Sequence, residues 1–237
     1  MAAAHARVPF TLRGALHGAR LAIPLLPGVM VFATAFGAAA SQKGLDVWQT
    51  MAISIFVFAG AAQMVALEVW RETWTLASVL GIMTVTATIN ARMILMGAAV
   101  QPWMAGAPPM RNALNLFLFT DANWLIGMRY HQEGGRDLGV MLGAGMALWC
   151  AWSAATLPGY LAGALVENPR AFGLDLVMPV FFCAMLVPLW RGFMPAVPWM
   201  VAGAVALAVQ ALGGGYAFIV VGALAGALSA ALLPEKN

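Results

Sequence analysis

Charge is what this 237-residue sequence has least of. Twelve Lys and Arg and nine Asp and Glu make up 9% of the chain, against about 25% in an ordinary soluble domain. A water-soluble fold of this length could not cover its surface with so few charges, and 62% of the residues are hydrophobic. That balance excludes a soluble enzyme, a nucleic-acid-binding module and a disordered chain. Basic runs are absent too. The net charge of +3 therefore implies no nucleic acid partner, because surplus arginine in cytoplasmic loops accounts for it. Cysteine is limited to Cys150 and Cys183. Each sits in an apolar run with no His or Cys nearby to share a metal, which makes both packing residues. The three histidines, His5, His17 and His131, all fall outside the apolar runs. No intramembrane Ser/His pair and no histidine metal site is then expected. A phosphate-binding P-loop is also missing, so no nucleotide and no other cofactor is expected.

What the sequence does have is long apolar runs between widely spaced charges. A membrane-crossing helix needs about 20 apolar residues. Arg20 to Lys43 encloses a first run, Asp46 to Glu68 a second, and residues 73–100 a third that contains Arg92. Arg111 to Arg129 gives a fourth, interrupted by Asp121, and Asp137 to Glu167 a fifth. Asp175 to Arg191 gives a short sixth with Pro179 and Pro188. The remaining stretch to Glu235 is divided by Gly213-Gly214-Gly215 into a seventh and an eighth. The predicted fold is all-α: a polytopic integral membrane protein of seven or eight transmembrane helices. It forms a single transmembrane domain over 1–237, with a short cytoplasmic or interfacial segment over 1–20. That segment has no apolar region of the secretory-signal kind before the first run. Eight crossings with a cytoplasmic N-terminus put eight basic residues inside. Lys43, Arg111 and Arg170 fall outside, as the positive-inside rule prefers. A two-half repeat is suggested by Leu26-Pro27-Gly28 before Gly44-Leu45-Asp46, against Leu157-Pro158-Gly159 before Gly173-Leu174-Asp175.

Polar side chains inside apolar runs are functional candidates by default, since hydrocarbon penalises them. Gln63, Asn90, Arg92 and Asp121 are the deep ones, with Thr120 and Asn123 flanking the last. Asp121 could load and release a proton or bind a substrate ammonium group. Its structural role would be a fixed ion pair with Arg92. The Arg92 fork suits a carboxylate, or the side chain could snorkel to a boundary. Asn90 would more simply bond a neighbouring helix. The run Phe58-Ala59-Gly60-Ala61-Ala62-Gln63 offers either close helix packing or a helix opened around Gly60. Pro24, Pro27 and Gly28 allow a similar break in the first run, because proline removes a backbone donor. Half-helix ends at such breaks bind ionic groups at mid-membrane. These residues support a secondary transporter for a small zwitterion. A passive channel for a small solute and a non-transporting scaffold for a partner subunit are the alternatives.

Pro24, Pro27-Gly28, Phe36-Gly37, Phe58 to Gln63, Asn90-Ala91-Arg92 and Thr120-Asp121 stand in one order. In that order and at that spacing they resemble the AzlC family of membrane permeases. The resemblance implies the large subunit of a branched-chain amino acid (Leu/Ile/Val) exporter in the bacterial inner membrane, driven by the proton motive force. It also implies a small, separately encoded AzlD-type membrane subunit as partner. Two positions depart from the family pattern: Met93 follows Arg92, and Ala122-Asn123-Trp124 follows Asp121.

Overall fold

The computed structural model describes residues 8–70, 75–165, 183, 190, 192–213 and 217–232. The sixth run apart from Cys183 and Trp190, Gly173-Leu174-Asp175 of the repeat, and Gly214-Gly215 of the turn lie outside them. Every element among the described residues is helical. The all-α, polytopic class is as the sequence predicts.

From Leu12 onward the N-terminal segment folds as part of the first rod. Helix α1 (Leu12–Ala22) starts at Thr11, whose side chain accepts from the Gly14 amide. A 3-10 turn at Ile23–Leu25 links it to α2 (Leu26–Gln42). Pro27 falls in the first turn of α2, where its missing N–H leaves no hydrogen bond unmade. The prolines thus tighten the chain without opening it, and residues 12–42 form one 31-residue apolar rod.

Helix α8 (Gly139–Leu165) runs beside this rod along its whole length. Gly18 abuts Val140, Ala15 abuts Gly143, Thr34 abuts Gly159 and Ala38 abuts Gly163. Residues 15–18 meet 140–143 near the start of both rods and residues 34–38 meet 159–163 further along, so the two rods are parallel. Glycine and alanine at the seam let the backbones approach closely, which is how helices associate where burial from water gives no drive. Asp137 fastens the start of the seam. It accepts from Thr11 N at 3.0 Å, from Gly139 N at 2.8 Å and from the Thr11 hydroxyl.

The second and fourth runs differ from the expected crossings. Each is two short helices joined at a break, and each turns back. The second consists of α3 (Val47–Phe56) and α4 (Gly60–Val69). A straight 23-residue segment would separate its ends by about 35 Å. Yet Gln63 Nε2 donates to Ile53 O at 2.7 Å, across a turn centred on Phe58. Glu68 also returns to within 3.8 Å of Lys43, just ahead of α3. Phe58 makes the reversal in the left-handed region, with φ 42°. The fourth run consists of α6 (Pro109–Phe117) and α7 (Asp121–Gln132). Its beginning, Arg111, lies over the Phe10 ring at 5.0 Å. Its end, His131, stacks on Trp103 at 4.6 Å, and Trp103 Nε1 donates to Arg136 O. Pro9 O in turn accepts from Leu138 N. Both ends of α6–α7 therefore lie where α1 and α8 begin. Hydropathy measures the length of an apolar run and carries no information on its direction, so two re-entrant hairpins read as two crossings.

Between them, α5 (Leu76–Met104) crosses in a single 29-residue helix, opened by a Thr75–Ser78 capping box. One crossing between two parallel rods is the parity that α2 and α8 require. Helices α9 (Phe193–Ala211) and α10 (Ala217–Leu232) form an antiparallel pair, with Gly222 and Gly226 against Ala206 and Ala202. Among the described residues, four helical segments are long and apolar enough to cross a membrane: 12–42, 76–104, 139–165 and 193–211. The two Leu-Pro-Gly motifs are not equivalent, since one opens α2 and the other lies inside α8. Cys150 sits on an exposed face of α8 and not in the core, and Cys183 is exposed as well.

The hairpins make a direct prediction. Cysteines at Lys43 and Glu68 will react with an impermeant maleimide from one side of the membrane, and cysteines at Arg111 and Glu133 from the other. A pair split between the two sides would turn its hairpin back into a crossing.

Candidate functional site

The tips of the two hairpins approach each other inside the bundle and enclose a cavity of about 740 Å³, mouth included. The first tip contributes Phe58, Ala59, Gly60 and Ala61, and the second contributes Thr120, Asp121 and Ala122. Helix α5 adds Asn90, Arg92 and Met93, while Val29, Phe32, Leu148 and Trp152 of the two rods complete the wall. Leu148 and Trp152 stand about 14 and 20 Å along α8 from Gly139, at 1.5 Å per residue. The cavity therefore lies near half-depth of a helix about 40 Å long.

Arg92 and Asp121 meet there. Nη2 of Arg92 is 2.7 Å from Oδ2 of Asp121, and each side chain is 42% exposed. The pair is thus open to the cavity and not sealed in the core. It links a membrane-crossing helix to a hairpin tip. Asp121 is the first residue of α7, where the helix dipole favours a negative charge. Helix α7 does not depend on it for a cap. Thr120 and Asn123 form a reciprocal capping box.

The other candidates separate into two groups. Gly60 and Asn90 line the cavity. Asn123, fully buried, donates from Nδ2 to Leu118 O at 2.9 Å and so pairs a carbonyl freed by the second break. Gln63 does the same at the first break through Ile53 O, and its own Oε1 has no partner. Trp149 Nε1 takes Ile55 O at 2.9 Å. Irregular backbone at this depth survives only when such groups are paired within the protein or face a water-filled cavity. Pro27 and Gly28 lie in the first turn of α2, and neither is among the lining residues.

The sequence reading missed Trp152, Phe32, Leu148 and Met93. Trp152 stacks on Phe36 at 5.9 Å and meets Phe32 edge-on at 5.3 Å. One signal was available: Trp149 and Trp152 sit in the middle of an apolar run, whereas interfacial tryptophans sit at its ends. Among the described residues, no group of His, Cys, Asp and Glu could hold a metal ion.

The family model described as AzlC protein matches residues 24–166, more than half of the chain. The chain belongs to the AzlC family. No curated protein and no solved structure matches it. The matched stretch includes α2, both hairpins, α5 and α8, and so every residue that lines the cavity. AzlC proteins are transport-related and not enzymes, are associated with branched-chain amino acid transport, and are generally associated with a partner subunit.

Proposed function

We propose that this AzlC protein is the large subunit of a secondary transporter that exports small aliphatic amino acids, Leu, Ile and Val, in exchange for protons. The observation that carries this reading is the Arg92–Asp121 pair between α5 and a hairpin tip, in a cavity whose wall is otherwise largely apolar. A zwitterion can replace each partner of such a pair without leaving a charge unbalanced. Its carboxylate takes the Arg92 fork and its ammonium group takes Asp121. Val29, Phe32, Leu148 and Met93 offer the branched side chain an apolar surface. Met93 is the departure from the family pattern, and it extends that surface. A proton arriving on Asp121 would release the ammonium group, which couples proton entry to substrate exit.

Charge placement supports a cytoplasmic N-terminus in a bacterial inner membrane. With the hairpins in place, Arg111 joins Arg13, Arg129 and Arg136 at the end where α1 and α8 begin, and Lys43 lies at the other. That distribution follows the positive-inside rule. A small AzlD-type subunit is the expected partner.

The test is leucine efflux from loaded inner-membrane vesicles containing this chain and the small subunit. An inward proton gradient will accelerate efflux, and a protonophore will abolish the acceleration. Leucine flux indifferent to the gradient would make the protein a passive pore. Absence of any leucine flux would refute the proposed substrate.

A further inference from the structure

We infer that a gate closes the cavity off from the end where α1 and α8 begin, and that Trp103, at the end of α5, is its latch. The inference rests on the transport reading above and assigns the part that moves when substrate passes that end. Three observations converge on it.

The first is a packed layer on one side of the cavity. Val100, Trp103, Met104, Leu138 and Met141 are at most 6% exposed and form one apolar cluster. Trp124 and Met128 of α7 pack against it. Val100, Trp103 and Met104 lie about 12–18 Å beyond Arg92 along α5, and Trp124 and Met128 about 5–10 Å beyond Asp121 along α7. Met141 lies about 10 Å before Leu148 along α8. All three displacements lead to the same end of the bundle, and none of these residues lines the cavity. A solute at Arg92 and Asp121 therefore meets this layer on the direct line to that end. In the other direction from Arg92, the only buried residue of α5 among those described is Val85.

The second is how the layer is fastened. Arg92 meets Asp121 and, further along both helices, Trp103 meets His131, so α5 and α7 run the same way. The Trp103 ring stacks on His131 at 4.6 Å with 8° between the planes, and stands 6.4 Å from the Tyr130 ring. Its Nε1 donates to Arg136 O at 3.0 Å. His131 is held in turn, with Nδ1 donating to Gly135 O at 2.9 Å. One α5 side chain thus makes both the stack and the hydrogen bond. Behind it, Met104, Met128 and Met141 are flexible side chains that repack easily.

The third is a hinge between the two levels. Gly97 lies on α5 between Arg92 and Trp103, and a Cβ there would meet nothing within 4 Å. Pro102 follows it inside the helix and leaves the Ala98 carbonyl without its helical donor. Helices bend at such residues, and a few hinge positions suffice for a gating motion. When the last turns of α5 swing about Gly97, Trp103 unstacks and the layer parts while Arg92 keeps its place.

The experiment is labelling of a cavity cysteine, Ala122→Cys, in the full chain carrying Cys150→Ala and Cys183→Ala. An impermeant maleimide is applied to inside-out and to right-side-out vesicles. Adding Trp103→Ala should raise the labelling rate about tenfold, the combined effect of a ring stack and a hydrogen bond. The rise should appear only from the face where α1 and α8 begin. His131→Ala removes the stack and leaves Trp103 in place, and should raise the rate from that face about threefold. Leu95→Ala, on the exposed side of α5, should change neither rate. Gly97→Ala stiffens the hinge and should slow leucine efflux about fivefold, the preference of a helix for alanine over glycine, with leucine affinity unchanged. A one-faced rise in Trp103→Ala, or in His131→Ala where Trp103→Ala does not fold, supports the inference. Wild-type rates in both, or equal rises from the two faces, overturn the gate, and unchanged efflux by Gly97→Ala overturns the hinge. Labelling needs no leucine. The gate can therefore fail while leucine efflux stands, and a chain that moves no leucine sinks the transport reading without altering the labelling result.

Discussion

Asp121→Asn should leave the protein inserted in the membrane and abolish proton-driven leucine efflux. The folded state has little reason to object. Helix α7 is capped by Thr120 and Asn123, neither of which changes. Asparagine has nearly the same shape and can still accept a hydrogen bond from Arg92. What it loses is the charge and the ability to carry a proton. A hydrogen bond to a charged group contributes roughly 1.5–3 kcal/mol, so the hold on a substrate ammonium group should weaken by about 10- to 150-fold. Arg92 is left without its counter-charge, but its side chain is 42% exposed and lines the cavity, so it is not sealed in the packed core. The double variant Arg92→Gln/Asp121→Asn separates a strut from a working site. If the pair only braces α5 against the hairpin, removing both charges should restore efflux, because neither is left unpaired. If both groups hold substrate, the double variant should be as inactive as the single one. Wild-type efflux by Asp121→Asn would remove this carboxylate from the mechanism.

The chemistry of this site was more legible in the sequence than its geometry. Arg92 and Asp121 stand out because charged side chains are rare in apolar runs, and the two residue types suggest each other as partners. Gly60 stands out because small residues crowd the middle of a run. Nothing in hydropathy shows that the chain reverses there. The reversal is encoded by interactions between positions far apart in a straight helix, Gln63 with Ile53 and Glu68 with Lys43. The second break carries a local signal in Thr120-Asp121-Ala122-Asn123, a polar residue three positions before another that can close a capping box. Asn123 and Gln63 look like pathway residues because they are polar and deep. Their amides instead serve freed carbonyls at the two breaks. Trp152 is the opposite case. Its apolar ring hides it among core residues, and its unpaired N–H becomes visible only once its neighbours are placed.

Substitution of Gly143 should be the most destabilising single change outside the site. A Cβ at that position would stand 1.8 Å from Ala15 O, and one on Gly18 would stand 1.9 Å from Val140 O. Further along, Gly159 and Gly37 would each meet backbone oxygen at 2.2 Å, from Thr34 and Thr156. The obstructing atoms are main-chain carbonyls inside helices, so no side-chain rotation relieves the overlap. The rods must separate instead. Overpacking of this kind costs about 1–3 kcal/mol even for one methyl group, and more for a larger side chain. Gly143→Ala should therefore lower the midpoint of thermal unfolding in detergent by several degrees, on the order of 2–4 °C per kcal/mol, and Gly143→Leu should prevent recovery of a monodisperse protein. The effect should reach the cavity, because α8 carries Leu148 and Trp152 and holds the first hairpin through Trp149 and Thr156. Gly28→Ala is the matched control. Nothing lies within 4 Å of a Cβ there, and alanine in a helix is favoured over glycine by about 1 kcal/mol. That variant should be as heat-stable as the wild type or slightly more so. Equal stability of Gly143→Ala and the wild type would mean that α1 and α8 do not meet at this seam, and the parallel arrangement that fixes both hairpins would fall with it.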